Sequence, residues 1–269
     1  MADTAFQTIT VSAAPGTDAH DGIRVLTLQR PDVMNAMNTL MFTEMRAAIR
    51  ALAFEDGLRV LILTGAGTRA FSAGGDLKER NGMTDEAWRA QHQLIEEAFL
   101  AVKDFPLPVI AAVEGHAHGG GCELALMADF IVASDSAVFS LAEIKRGIMP
   151  GGGGVQNLVR AAGMRRAKQL IFTGDAFTGQ QALEWGMLNA LVPAGQALPA
   201  AVDIARRIVA AAPMSVRYAK LAATRGGEVD FHTGYMLDIA AYNVLVSSDD
   251  RREGVLAFNE KRTPRWSNR

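Results

Sequence analysis

Cysteine is almost missing from this 269-residue chain, with Cys122 standing alone, so no disulfide framework holds the fold. Surplus charge is missing too. The 27 basic and 29 acidic side chains leave a formal charge of −2, which gives no general attraction to phosphate backbones or anionic lipid, although a local patch is still allowed. Nucleic acid is therefore not an expected partner. No apolar run reaches the roughly 18 residues that a spanning helix needs. The opening MADTAFQTIT carries an early Asp3 and no basic-then-apolar leader pattern, so the expected location is the cytoplasm and no membrane partner is expected. GxSxG and GxxxxGK[ST] do not occur. His20, His92, His116, His118 and His232 have no familiar metal-ligand spacing, so no metal site is expected. His116 and His118 read as structural strand-end residues, and Cys122 as a small packing residue.

Glycine is plentiful, and its placement is informative. Eleven of the 26 fall in adjacent runs: Gly74-Gly75, Gly119 to Gly121, Gly151 to Gly154 and Gly226-Gly227. Each run costs backbone entropy and marks a place where φ turns positive or another group approaches closely. Around these runs the first half alternates strand-like with helix-like segments. Strands are expected at 23–28, 60–64, 109–113 and 130–133. Helices are expected after a cap at Asn38 or Thr39, after Thr84, and over 122–128. Beyond residue 150 the pattern gives helices at 155–162 and 165–172. A capping box Thr178-x-x-Gln181 follows, then a last strand near 188–192. Four further helices are expected: 201–211 stopped by Pro213, 215–225 stopped by Gly226, 231–246, and 250–261 capped at Asp250-x-x-Glu253. The reading is an α/β body, residues 1–197, with a helical region at 198–269. No repeat, low-complexity linker or charge block separates independent domains.

Two segments join a strand, a glycine run and a carboxylate. In the first, the 109–113 strand enters Gly119-Gly120-Gly121, and Glu123 falls in the first helical turn, beside unpaired N–H groups at the positive end of the helix dipole. The bland alternative for Glu123 is favourable first-turn electrostatics. In the second, Glu143 precedes Pro150 and the run Gly151 to Gly154, and its bland alternative is a surface glutamate paired with Lys145 or Arg146. Two carboxylates beside glycine runs are able to converge as acid and base. Gly65-x-Gly67-x-x-Ala70 fits a dinucleotide fingerprint, but Gly74-Gly75 interrupts the helix it requires, and no acidic residue follows at the expected distance.

Taken in order, Arg30-Pro-Asp-Val-Met-Asn-Ala-Met37, Leu63 to Lys78, Gly119 to Ala125, Glu143 to Gly154 and Glu253 to Arg262 resemble the enoyl-CoA hydratase/isomerase (crotonase) superfamily, from about Ile23 to Trp266. The resemblance implies a spiral of ββα units with a C-terminal helical trimerisation region, assembled as a homotrimer or a dimer of trimers. It implies an acyl-CoA thioester substrate, with coenzyme A entering as part of that substrate and no separate cofactor. By motif position the backbone N–H groups of Gly75 and Gly120 would form an oxyanion hole, a task suited to rigidly held donors. Glu123 would deprotonate water, Glu143 would protonate Cα, and the Gly151 N–H would help hold the water. Coenzyme A would meet Val33, Met34, the loop Ala73, Gly75, Asp76 and Leu77, and Lys78. Phe258 and Lys261 would reach a molecule bound by a neighbouring subunit. For each lysine the alternative is a solvated helix-end side chain.

Hydratases of the family carry both glutamates, so the resemblance implies syn addition of water to a trans-2-enoyl-CoA as the expected reaction. A Δ3,Δ2-isomerase, a specialised hydratase of the crotonobetainyl-CoA type and a non-catalytic trimeric scaffold are the alternatives. Gly152 replaces the middle residue of the family's more usual Pro-Gly-x-Gly-Gly, a looser loop that bears on pocket shape and hence on acyl preference. Acyl-pocket walls are expected from the 81–102 helix and from the helical tail.

Overall fold

A computed structural model describes residues 6–18 and 21–269; His20 lies outside the described residues. The chain winds through three turns of one plan, strand, strand, helix, and each turn feeds two sheets. In the first turn β3 (Val60–Gly65) enters a large sheet, β4 (Ala70–Ser72) enters a small one, and α2 (Leu77–Arg80) and α3 (Asp85–Lys103) return the chain. The second is β5 (Val109–Val113), β6 (His116–His118) and α4 (Gly120–Met127). The third is β7 (Phe130–Ser134), β8 (Val138–Ser140), then α5 (Gly154–Ala162) and α6 (Met164–Thr173). The large sheet opens with β1 (Ile9–Ala13) and β2 (Ile23–Leu28) and closes with β10 (Ala190–Val192), in the order β1-β2-β3-β5-β7-β10. Only its β1–β2 pair is antiparallel. The small sheet has the order β4-β6-β8-β9, with β9 at Phe177–Thr178.

Local sequence explains most of these elements. Asn38 caps α1 (Thr39–Leu52) by accepting from Met41 N at 3.0 Å, and Met41, Met45, Ala48 and Leu52 recur on its buried face. Thr84 caps α3, whose buried face is Gln91, Ile95, Ala98, Phe99 and Val102. The capping box at Thr178 and Gln181 opens α7 (Gly179–Glu184). Strands β3 and β5 are buried almost throughout, as parallel strands covered on both faces must be.

The C-terminal region contains α8 (Ala197–Val209), α9 (Pro213–Gly226), α10 (Phe231–Val246) and α11 (Asp249–Glu260). α8 joins the body: Ala197, Ala201, Val202 and Ala205 pack with Ile23, Val25, Ile62 and Ile110 in one buried cluster. Three sequence expectations need correction. Pro213 opens α9 at its first position, where a missing N–H costs nothing, rather than only stopping α8. The cap of α11 is Ser248, which accepts from Arg251 N at 3.1 Å; Asp250 is buried and accepts from Ser267 N at 2.6 Å. Gly226 is more than a helix stop. A Cβ there would lie 3.4 Å from Gly234 Cα, so two glycines bring α9 and α10 into backbone contact. Among the described residues, no helix is long and apolar enough to cross a membrane.

Candidate active site

The loop before α1 organises one wall. Asn35 is fully buried; its Oδ1 accepts from Arg30 N, and its Nδ2 donates to the carbonyls of Ala66 and Ala70. This hub holds Met34 against the strand-end loop, where Ala73 N donates to Met34 O at 2.8 Å. Met37 N donates to Gly74 O and Asp76 N donates to Met37 O, at 2.8 and 2.9 Å. Asp76 caps α2 and pairs with Arg30 at 2.9 Å, and these partners hold its carboxyl below the usual range against the opposing effect of desolvation. The motif Arg30 to Met37 is thus a brace for the Ala73–Asp76 segment.

That brace leaves the Gly75 N–H with no acceptor among the described residues. Gly120, first residue of α4, is likewise without an acceptor, because the first N–H groups of a helix have no intrahelical partner and Gly119 offers no side-chain cap. The two donors are neighbours: a Cβ on Gly120 would stand 3.7 Å from Gly75 N. Each is preceded by a glycine at positive φ, Gly74 at 90° and Gly119 at 51°. A side chain at either position would meet both left-handed strain and a close neighbour, His118 O at 2.6 Å or Glu143 Oε1 at 2.8 Å.

Both glutamates reach the same cavity, whose volume is about 680 Å³. Glu123 is 4% exposed, and its Oε1 accepts from Gly152 N at 2.8 Å and Gly154 N at 2.9 Å. Burial pushes its carboxyl up to about 7, and the charge of Glu143 adds to the push. Glu143 sits at the start of a 3-10 turn, Glu143–Arg146, with Oε2 buried and without a hydrogen-bond partner among the described residues. Burial raises its pKa as well. The surface-pair reading of Glu143 fails, since Lys145 pairs with Asp175 at 3.6 Å and Arg146 donates to the Lys145 carbonyl. The glycine run at 151–154 differs from expectation in its client: it holds Glu123, the first glutamate, through Gly152 and Gly154. Gly151 lines the cavity, packed against the His92 ring.

The remaining sequence-selected residues divide by position. Ala73, Gly75 and Leu77 line the cavity, while Val33, Leu77 and Lys78 are exposed. Met34 and Lys261 both have left-handed backbones, at φ 54° and 55°. Phe258 is 83% exposed on α11, and neither it nor Lys261 lines this cavity. The apolar walls are Met37, Phe42, Trp88, Ile95, Phe99 and Met149. The α3 contribution agrees with expectation; no residue of α9, α10 or α11 lines the cavity, which corrects the expected role of the tail. Sequence reasoning also missed Arg80, whose guanidinium faces the cavity from the end of α2.

Other candidates fall away on geometry. Gly65-x-Gly67-x-x-Ala70 leads into β4 rather than a helix, so it offers no helix N-terminus for a pyrophosphate. Cys122 is buried, and desolvation raises its thiol pKa well above the usual range. His118 shares Nδ1 with Ser140 Oγ at 2.8 Å and Nε2 with His116 Nδ1 at 3.1 Å. No cluster of three potential metal ligands occurs among the described residues. A second cleft, about 780 Å³, lies beside α8 and α9; its Asp129–Lys220 pair is mutually satisfied at 2.7 Å.

A structure of an enoyl-CoA hydratase from Bacillus anthracis superposes with a TM-score of 0.94 at 40% identity, covering 98% of this chain and 100% of that one. The chain is 35% identical to a crotonyl-CoA hydratase of Syntrophomonas wolfei, over 91% of this chain and 94% of that protein. It is 39% identical to the mitochondrial methylglutaconyl-CoA hydratase of Mus musculus, over 91% of this chain and 79% of that protein. The family profile for enoyl-CoA hydratase/isomerase matches residues 18–269, and the chain belongs to that family.

Proposed function

We propose that this protein is an enoyl-CoA hydratase that adds water reversibly across the 2,3 double bond of a trans-2-enoyl-CoA. The observation that carries the reading is the meeting of Glu123 and Glu143 in one cavity with two unpartnered backbone donors, Gly75 and Gly120. Glu123 has Oε1 fixed by two N–H groups, which leaves Oε2 to hold a water and take its proton. As the water oxygen bonds to Cβ, the double-bond electrons move onto the thioester oxygen. The Gly75 and Gly120 N–H groups stabilise that enolate where its charge develops. Glu143 then gives its proton to Cα. Burial and mutual repulsion favour one proton shared by the pair, so one carboxylate serves as base while the other serves as acid.

The thioester would be carried by coenzyme A lying along Val33, Met34, Ala73 to Leu77 and Lys78. Phe258 and Lys261 would close over the molecule bound by a neighbouring subunit. This arrangement goes with a homotrimer or a dimer of trimers. It is supported by α10, which presents Phe231, Tyr235, Met236 and Tyr242 at 51–79% exposure, an apolar surface that calls for a partner. The reaction requires no metal or redox cofactor. Isomerisation of a 3-enoyl-CoA is the alternative reading of the same site, because protonation at Cα is common to both reactions.

The decisive measurement is the loss of conjugated enoyl-thioester absorbance with crotonyl-CoA and longer or branched analogues. Turnover of one or more is expected. Binding of acyl-CoA by calorimetry without turnover of any thioester would replace the hydratase by a non-catalytic scaffold. Faster turnover of 3-enoyl-CoA than hydration would make isomerisation the main activity.

A further inference from the structure

Three arginines line the cavity: Arg80, Arg89 and Arg146. Two of them are directed elsewhere. Arg89 is 79% exposed and lies 3.9 Å from Asp85 one helical turn back, and Arg146 donates to the carbonyl of Lys145. Arg80 is different. Its Nε donates to Gln91 Oε1 at 2.8 Å, and Gln91, 4% exposed, is itself fixed by donating to Thr39 Oγ1 and Glu79 Oε2. The guanidinium lies over the Trp88 ring, 4.7 Å from its centroid. Its far end lies against Gly75: a Cβ placed there would come within 3.0–3.2 Å of Cζ, Nη1 and Nη2.

The guanidinium is therefore held in place by one hydrogen bond and one ring face, while Nη1 and Nη2 have no acceptor among the described residues. Such a planar fork matches the two oxygens of a carboxylate, and partial desolvation strengthens the match. The two glutamates do not supply that carboxylate. Glu123 Oε1 is taken by Gly152 and Gly154, and although the charges of Glu79, Glu143 and Glu123 act on Arg80, none of these carboxylates pairs with its Nη1 or Nη2 among the described residues. A fixed cation whose Nη1 and Nη2 have no acceptor, set beside the apolar walls Met37, Phe42, Ile95 and Phe99, is out of keeping with a plain alkyl chain, which would leave the donors unmet.

We propose that Arg80 is a specificity-determining residue that receives a carboxylate on the acyl group, so that the preferred substrate is the enoyl-CoA monothioester of a short dicarboxylic acid. The short chain follows from position. Arg80 touches Gly75, the residue whose N–H would hold the thioester oxygen, so an anion meeting it must lie only a few carbons from the thioester carbon. The proposal rests on the hydratase reading of the same site, but its test does not depend on turnover alone.

Hydration of glutaconyl-CoA and crotonyl-CoA is compared in wild type, Arg80→Met and Arg80→Lys. Wild type is expected to favour glutaconyl-CoA in kcat/KM, and Arg80→Met is expected to cut that preference at least tenfold, mostly through KM, with Arg80→Lys restoring part of it. Equal losses on both substrates, seen as a shifted pH profile, would show that Arg80 acts only on the charge of the glutamates and would overturn the proposal, as would a wild type with no preference. If neither of these nor any longer or branched enoyl-CoA is hydrated, the hydratase reading fails while Arg80 is still tested by calorimetry with glutaryl-CoA and butyryl-CoA. A tighter glutaryl-CoA complex that loses its advantage in Arg80→Met supports the carboxylate site; equal affinities refute it.

Discussion

Glu123 and Glu143 are the same residue type, and each belongs to a segment with a glycine run, yet the chain treats them differently. Glu123 is carried on α4, a helix buried on every side, and two backbone N–H groups grip one of its oxygens. Glu143 is carried on a short turn between β8 and α5, followed by exposed residues, with one oxygen buried and unmatched. One carboxylate is fixed by an already folded frame. The other keeps an unmet buried acceptor on a turn that is freer to move, and burial raises both carboxyls, Glu123 to about 7. The two proposed roles therefore rest on how each carboxyl is held, one clamped and one on a yielding turn, and not on which of them carries the proton at rest.

The largest test of that division removes each carboxyl in turn. Glu123→Gln and Glu143→Gln are each expected to lower kcat for hydration by about 10²–10⁴-fold, the range of general acid–base catalysis. The double variant should lose little beyond the worse single variant, since residues acting as one unit are not additive. Steady-state kinetics on the substrate that wild type turns over fastest provides the check. If both single variants keep full activity, the roles assigned here are wrong.

A second test disturbs the grip on Glu123 without touching its chemistry. In Gly154→Ala the new methyl would lie 2.8 Å from Glu123 Cγ and 3.1 Å from Leu141 Cδ2, so the glutamate must move. A displacement near 1 Å is expected to cost up to about 10²-fold in kcat, with KM affected less. Gly147→Ala serves as the contrast on the Glu143 side. No atom lies near its Cβ, and its positive φ of 77° predicts a loss in thermal stability and little loss in kcat. Equal kinetic losses in the two variants would remove the distinction between a clamped and an unclamped carboxylate.

Much of this frame was legible in the sequence because it rests on local signals. The apolar runs of β3 and β5, the caps at Asn38 and Thr84, and the capping box at Thr178 each announce themselves within a few residues. The small sheet was not legible, since β4, β6, β8 and β9 have only two or three residues each and exist through pairing across the ββα turns. The motif resemblance pointed to Glu123, Glu143, Gly75 and Gly120, but the partner of the 151–154 loop was invisible, because Glu123 lies about thirty residues before the N–H groups that hold it. Arg80 has no local signature at all. On a short helix, Lys-Glu-Arg reads as solvated charge, and only the packing of Gln91 and Trp88 turns that arginine inward.

The smallest expected effect concerns stability rather than rate. Glu123 has its carboxyl raised from the ordinary carboxylate range to about 7, first by burial. The folded state therefore binds that proton more tightly than the unfolded chain does. The stabilisation is fully present below about pH 4.5, is lost as pH rises through about 7, and leaves a destabilising buried charge at pH 8. Gln in place of Glu123 keeps an oxygen to accept from Gly152 and Gly154 but carries no charge. The Tm of Glu123→Gln relative to wild type should therefore rise between pH 5 and pH 8, by about 2–4 °C for each kcal/mol removed in a chain of this size. Glu143→Gln should shift in the same direction by less, because its carboxyl is less buried and its turn is freer to yield. Calorimetric melting of the three proteins across that pH range measures both shifts. If the gain at pH 8 is larger for Glu143→Gln, Glu143 and not Glu123 is the carboxylate that the fold strains to keep.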